Sequence, residues 1–250
     1  MGEAVRTFFL ELKLKFGINL TIFYDGFDSE RFVTGIVTTV ELVALCVFFS
    51  VIVGGIGAVI LRLSRGPLAA AVQGYVALVR NTPLLIQMYF FYFGVSPVLP
   101  AGHSAIGLPV PLVGNFAWAV VSLSLYAGAF NIESFRAGLG AVNRSYEEAA
   151  LALGYTRIQA LRYVLAPLGL RFSFASLANN LVDLTKSTTV AYAIGVSELL
   201  YVSNQIWSDS LNTFEMMNVI LIVYLILTGL VVWAISALQR ALHVPGFGAN

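Results

Sequence analysis

The sequence predicts an all-α integral membrane protein with five transmembrane helices. Three observations carry that prediction. Of the 250 residues, 58% are hydrophobic and only 11% are charged. A soluble domain usually carries about 25% charged residues, so lipid must solvate much of this surface. Five apolar stretches have the length of about 20 residues that a spanning helix needs. Lys and Arg gather on alternate connections between those stretches.

The stretches fall at residues 35–61, within 68–95, at 112–135, at 174–194 and at 216–238. The second is broken at Arg80-Asn81-Thr82-Pro83, and the fourth carries Asp183 and Lys186. Segment 62–66 holds two basic residues, segment 136–171 holds five, and the end of the chain holds Arg240. Connections 96–111 and 196–215 hold none. The first, third and fifth spans are therefore expected to exit into the cytoplasm, with the N-terminus outside and the C-terminus inside. Segment 1–34 goes the other way, with Arg6, Lys13, Lys15 and Arg31 against five acidic residues. Residues 5–16 alternate charge and bulk, as a short amphipathic helix at the outer interface would. Residues 1–20 do not read as a cleaved signal, because Glu11, Lys13 and Lys15 interrupt the apolar run. We expect an outer segment at 1–34, one transmembrane domain at 35–240 and a cytoplasmic tail at 241–250.

Composition also excludes functions. A net charge of +1 gathers no nucleic acid. One cysteine, Cys46, makes neither a disulfide framework nor a zinc set. His103 and His243 stand alone, without metal-ligand company or a catalytic constellation. The glycines at 54, 55 and 57 lie inside a span, where close helix packing explains them better than phosphate binding. No G-x-x-x-x-G-K-[ST] phosphate loop occurs.

Segment 136–171 is the most informative. Ser145 to Glu148 fits a capping box, and Thr156 to Gln159 repeats it. Gly154 lies between them, where a left-handed residue ends a helix. Pro167 is expected to close the second helix. The segment thus encodes a helix-turn-helix at about 143–167. Ala149, Ala150, Ala152 and Leu153 form a small apolar face, ringed by Glu147, Glu148, Arg157 and Arg162. Small residues allow close approach, and rim charges set register.

These residues resemble a known family. Glu148-Ala149-Ala150, then Gly154, then Val164-Leu165-Ala166-Pro167 is similar to the loop of permease subunits of bacterial ABC importers. That pattern reads E-A-A, three residues, G, nine residues, I-x-L-P, and the spacing is matched here. Arg80-Asn81-Thr82-Pro83-Leu84 through Gln87 resembles the R-G-T-P-L-x-x-Q segment of the polar amino-acid branch, with Asn81 in place of glycine. Glu133 to Gly138 resembles its E-x-x-R-x-G. Asn180, Lys186, Ser187 and Thr188 resemble its N-x-x-x-x-x-K-x-[ST]. The resemblance covers residues 35 to about 240 and implies a fold like the type I ABC importers. It implies that the loop inserts into a groove on an ATP-binding subunit and transmits ATP-driven closure. It points to the histidine, arginine, glutamine and glutamate group as cargo. No cofactor is expected on this chain, ATP and magnesium belonging to the partner ATPase. Expected partners are ATP-binding cassette subunits, a second permease chain, an extracytoplasmic amino-acid-binding protein and the bilayer.

Polar groups within spans should face protein or water. Asp183 and Lys186 share a helix face. They form either an internal ion pair or part of the substrate path. Glu41 either meets a substrate ammonium or lies in water at the interface. Pro83 frees a carbonyl at residue 79, which marks either a pathway or a simple kink. The candidate path is Glu41, Asn81, Thr82, Gln87, Asn180, Asp183, Lys186 and Ser187. An ion-coupled secondary amino-acid transporter or a channel is the alternative, though it leaves the capped hairpin unexplained.

Overall fold

The computed structural model describes residues 3–103 and 109–241. Among the described residues, the regular structure is helical apart from one antiparallel pair of three-residue strands, β1 (Ala101–His103) and β2 (Pro109–Pro111). His243 and the end of the tail lie outside the described residues, as do the surroundings of the His103 side chain.

α1 (Glu3–Phe16) covers the expected amphipathic segment. α2 (Gly26–Leu63) begins at Gly26, well before the apolar stretch that starts at 35. Asp25 explains the early start. Its Oδ1 accepts from the N–H groups of Phe27 (2.8 Å) and Asp28 (3.2 Å), which caps the helix. α3 (Pro67–Arg80) and α4 (Leu84–Tyr89) form the broken second stretch. A π turn, Phe90–Val95, extends α4. α5 is Asn115–Ala141. The hairpin is α6 (Arg144–Ala152) and α7 (Arg157–Ala160). α8 (Ala166–Ser187) runs into a 3-10 turn, Thr188–Ile194, and Gly195 ends it at φ 73°. α9 (Leu199–Ser210) and α10 (Thr213–Ala241) complete the chain.

Among the described residues, three helices are long and apolar enough to cross a membrane: Gly26–Leu63, Asn115–Ala141 and Thr213–Arg240. The second and fourth expected spans do not pass that test, for visible reasons. α3 and α4 are separated by the break at Pro83. α8 carries Arg171, Asp183 and Lys186 along with Asn179 and Asn180.

Two compact units emerge from the contacts. One gathers Met1–Leu45, Leu85–Ser122 and Lys186–Thr228. Its core is Ile22, Phe32, Leu199, Val202, Ile206 and Met216. Connection 196–215 is therefore more than a link between spans, because α9 lies buried in this core. Gly35 permits the approach: a Cβ there would lie 3.2 Å from the Leu199 Cα. The Thr39 hydroxyl then accepts from the Leu199 N–H at 3.0 Å.

Glu198 caps α9 and is fully buried. Its carboxylate accepts from the N–H groups of Leu200 (2.9 Å) and Tyr201 (2.8 Å) and from the Tyr224 hydroxyl (3.1 Å). Burial pushes this carboxyl from its ordinary 4.5 up to about 7, against the pull of those three bonds. A raised folded value means that the protonated form favours folding. The contribution is full below about 4.5 and is lost as pH rises through about 7. The melting midpoint of the solubilised chain should therefore fall between about pH 5 and 8, through a swing on the order of 3 kcal/mol. Glu198→Gln should flatten that fall. Equal pH slopes in the two proteins would refute the assignment.

The other unit gathers Cys46–Leu84, Leu123–Thr185 and Gly229–Asn250. Here Gly54 and Gly57 of α2 pack closely as expected, whereas a Cβ on Gly55 would meet nothing within 4 Å. A Cβ on Gly54 would meet the Asn131 Cβ at 2.5 Å, and one on Gly57 would meet the Ile132 Cδ1 at 2.4 Å. A polar seam joins the helices that meet there. Asn131 donates to the Ser50 hydroxyl at 3.2 Å. Asn180 donates to Asn131 Oδ1 (3.2 Å) and to Ser134 Oγ (2.9 Å). Such bonds hold helices together where water is absent.

Candidate functional site

The hairpin is built by its turn. The Gly154 N–H bonds the Leu151 carbonyl at 3.0 Å, and the Tyr155 N–H bonds the Ala150 carbonyl at 3.1 Å. This pair of bonds is a Schellman motif, and it closes α6. Gly154 holds φ at +87°, as the sequence predicts. The second capping box is present: Gln159 N–H donates to Thr156 Oγ1 (3.3 Å) and Thr156 N–H donates to Gln159 Oε1 (2.8 Å).

Two local expectations need correction. The cap of α6 is Asn143, not Ser145. Asn143 Oδ1 accepts from the Ser145 N–H at 3.0 Å, which places Ser145 inside the helix. An Asx acceptor two residues earlier outcompetes the serine hydroxyl. Pro167 does not stop the second helix. α7 passes through a π turn, Leu161–Leu165, into α8, and Pro167 sits in the first turn of α8. The wider turn accommodates the missing N–H.

The hairpin rests on Val142, Leu161 and Leu165. Ala150 is buried against the fold rather than presented outward, while Ala149 stays exposed. Ala152 and Leu153 (81%) of the expected face are exposed too, and Ile158 (66%) and Tyr155 extend that surface beyond the turn. Sequence patterning missed Tyr155 and Ile158 because they straddle the turn, where helical periodicity breaks. Glu147 pairs with Arg62 at the end of α2. Glu148 pairs with Arg144 one turn away at 3.0 Å. A cavity of about 680 Å³ opens between the hairpin and the helix ends, lined by Arg62, Arg65, Arg144, Glu147, Glu148 and Arg157 among others. The Arg62–Glu147 pair ties α6 to the end of α2.

The break in the second stretch is real. α3 ends at Arg80, and Asn81 caps it through its Nδ2, which donates to the Ala77 carbonyl at 2.6 Å. The carbonyl that Pro83 leaves without its helical partner is not abandoned: the Thr82 hydroxyl reaches Val79 O at 3.5 Å and Leu78 O at 2.9 Å. Gln87 is buried in α4. Asn180 is committed to α5 through the polar seam. Asp183 and Lys186 are both exposed on α8, and Ser187 is half-buried at its end. Glu41 is exposed on α2. Beside the break lies a second cavity of about 470 Å³, which includes Gln73, Arg80, Asn81, Phe130 and Glu133. The sequence flagged Arg80, Asn81 and Glu133 within motifs, but Gln73 and Phe130 carried no signal of their own.

Long apolar helices, a broken apolar stretch with polar groups beside it and a protruding capped hairpin define a multi-pass membrane permease. Comparison with known proteins gives the family. Residues 32–244 match the family described as binding-protein-dependent transport system inner membrane component. The probable amino-acid ABC transporter permease protein PatM of Vibrio harveyi is 33% identical over 82% of this chain and 90% of its own length. The histidine/lysine/arginine/ornithine transport system permease protein HisQ of Escherichia coli K12 is 28% identical over 78% of this chain and 85% of its own. A crystal structure of an amino acid ABC transporter with histidines superposes with a TM-score of 0.72, at 27% identity over 85% of this chain and 94% of that one. The chain belongs to the family of binding-protein-dependent transport system inner membrane components.

Proposed function

We propose that this chain is the translocation-pathway subunit of an ATP-driven ABC importer for polar or charged amino acids. The carrying observation is the hairpin: two helices, locked by Gly154 and capped by Thr156, that present Leu153 and Ile158 to a partner. A mere connection needs only a few residues. The named roles of the relatives support amino acids as cargo. In this reading, ATP and magnesium sit on separate ATPase subunits, and closure of those subunits moves the hairpin. The Arg62–Glu147 pair passes that motion to α2. The chain crosses the inner membrane five times, with its N-terminus outside and its C-terminus in the cytoplasm. A second permease chain completes the channel wall, and an extracytoplasmic binding protein delivers the amino acid.

The test is uptake into liposomes that hold the chain with the ATPase, second permease and binding protein encoded beside it. Labelled histidine, glutamine and glutamate are supplied singly, with or without ATP on the ATPase side. Uptake should require ATP. Uptake that persists without nucleotide and follows an ion gradient would replace this reading with that of a secondary transporter.

A further inference from the structure

Two helices long and apolar enough to cross a membrane end at one cavity. α2 closes at Leu63 and α5 at Ala141. The cavity of about 680 Å³ is lined by both ends, through Arg62, Leu63, Leu139 and Gly140. A cavity at the ends of spanning helices lies where hydrocarbon gives way to headgroups. The hairpin supplies another wall, through Arg144, Glu147, Glu148 and Arg157 among others. All of these residues belong to the unit that gathers Cys46–Leu84, Leu123–Thr185 and Gly229–Asn250.

The charge around this cavity does not balance. Four arginines line it, Arg62, Arg65, Arg144 and Arg157, against the two carboxylates of Glu147 and Glu148. Both carboxylates are engaged. Arg62 holds Glu147, and Arg144 Nε lies 3.0 Å from Glu148 Oε1. Among the described residues, Arg65 and Arg157 take part in no ion pair, and their side chains make no hydrogen bond. Two cations at the membrane boundary are therefore in surplus. Much of the remaining wall is apolar, with Leu63, Leu139, Val142, Leu151, Leu161 and Leu165. A soluble anion gains little from such a wall, whereas an amphiphile buries carbon against it. The volume suits a small-molecule group.

We propose that this cavity holds the headgroup of an anionic phospholipid, with Arg65 and Arg157 receiving its phosphate and the leucines its glycerol and upper acyl carbons. Basic pockets beside spanning helices suit such headgroups, because each Arg near the surface adds attraction. A planar guanidinium offers a phosphate two parallel N–H groups. A zwitterionic headgroup brings a cation of its own, which the surplus arginines repel. The site is separate from the exposed face of Leu153 and Ile158, neither of which lines it. It needs a chain that spans the membrane and does not depend on the importer reading. A lipid held there joins the hairpin to the end of α2 by a second route, beside the Arg62–Glu147 pair.

The full chain is solubilised in a neutral detergent and heated with short-chain phosphatidylglycerol, with phosphatidylcholine of the same chains, or with inorganic phosphate. Phosphatidylglycerol should raise the melting midpoint in a saturable way, and the other two should not. Arg65→Gln and Arg157→Gln should each weaken the apparent affinity for phosphatidylglycerol roughly fivefold, and the two together roughly 30-fold. Arg65→Lys should keep most of the affinity, because the charge remains. Both arginines are exposed, so the variants should melt like the wild type when no lipid is added. Arg6→Gln removes one exposed charge outside the cavity and should leave the affinity unchanged. Equal affinity in the wild type and the double variant overturns the site. An equal loss in Arg6→Gln, or an equal shift with phosphatidylcholine, overturns it in favour of unspecific surface attraction. A matching shift with inorganic phosphate assigns the cavity to a soluble anion and overturns the lipid.

Discussion

Gly154→Val should cut coupled uptake about 5- to 30-fold while the chain still inserts and folds. No atom lies within 4 Å of a Cβ built on Gly154, so the substitution meets no steric block. The penalty is conformational. At φ +87° a β-branched residue is strained by about 1–2 kcal/mol or more. That strain acts on the turn alone, which is exposed and makes no core contact. It reduces the population of the docking-competent hairpin by a factor of roughly 5–30. ATP hydrolysis should continue, but uptake per ATP should fall by that factor. Gly154→Asn is the control, because asparagine tolerates the left-handed region, and it should retain most uptake. Wild-type uptake by the valine variant would show that the hairpin does not need this turn.

The second large effect is on folding. Gly138→Val should leave little monodisperse protein. A Cβ on Gly138 would lie 2.0 Å from Ser173 Oγ, 2.3 Å from the Gly169 carbonyl oxygen and 2.9 Å from the Ser173 N. Two of these three atoms are backbone, so α5 and α8 must separate. Gly169 faces the same crossing, where its own Cβ would meet the Leu139 Cδ2 at 2.7 Å. Overpacking of this kind costs about 1–3 kcal/mol, and more when backbone must move. In a membrane, close helix approach is itself the main source of association, so little compensates. Gly140→Ala, two positions along the same helix, should be harmless or mildly stabilising, since nothing lies within 4 Å there. Equal melting midpoints for the Gly138 and Gly140 variants in detergent would discount the crossing.

The contrast between Gly154 and Gly138 shows what one sequence makes legible. Gly154 announces its role locally: a helix pattern precedes it, a capping box follows, and only a left-handed residue fits between. Gly138 appears in the sequence merely as one letter of a motif. Its partner Gly169 is 31 positions away, a pairing that no local rule supplies. The same holds for Glu198. Connection 196–215 reads as a link between spans without Lys or Arg, because nothing in its letters says that α9 packs into a core. Asn180 reads as a pathway residue because it is polar within an apolar stretch. The fold spends that polarity on Asn131 and Ser134 instead.

Composition, hydropathy and the distribution of Lys and Arg determined by themselves that this protein lives in a membrane, three of the five stretches apolar enough to cross it, and where its hairpin lies. Those properties sum over neighbouring residues, so they survive without coordinates. The break at Arg80 to Pro83 was equally local, because proline acts on its own helix. Tertiary structure alone decided which polar groups are committed to packing and which remain available. It set Asn180 into a seam, sealed Glu198 beneath α9, turned Ala150 inward and laid Arg80 over the Phe130 ring beside a cavity. Availability depends on which helices meet, and helix crossings between distant segments are written in shape rather than in sequence spacing.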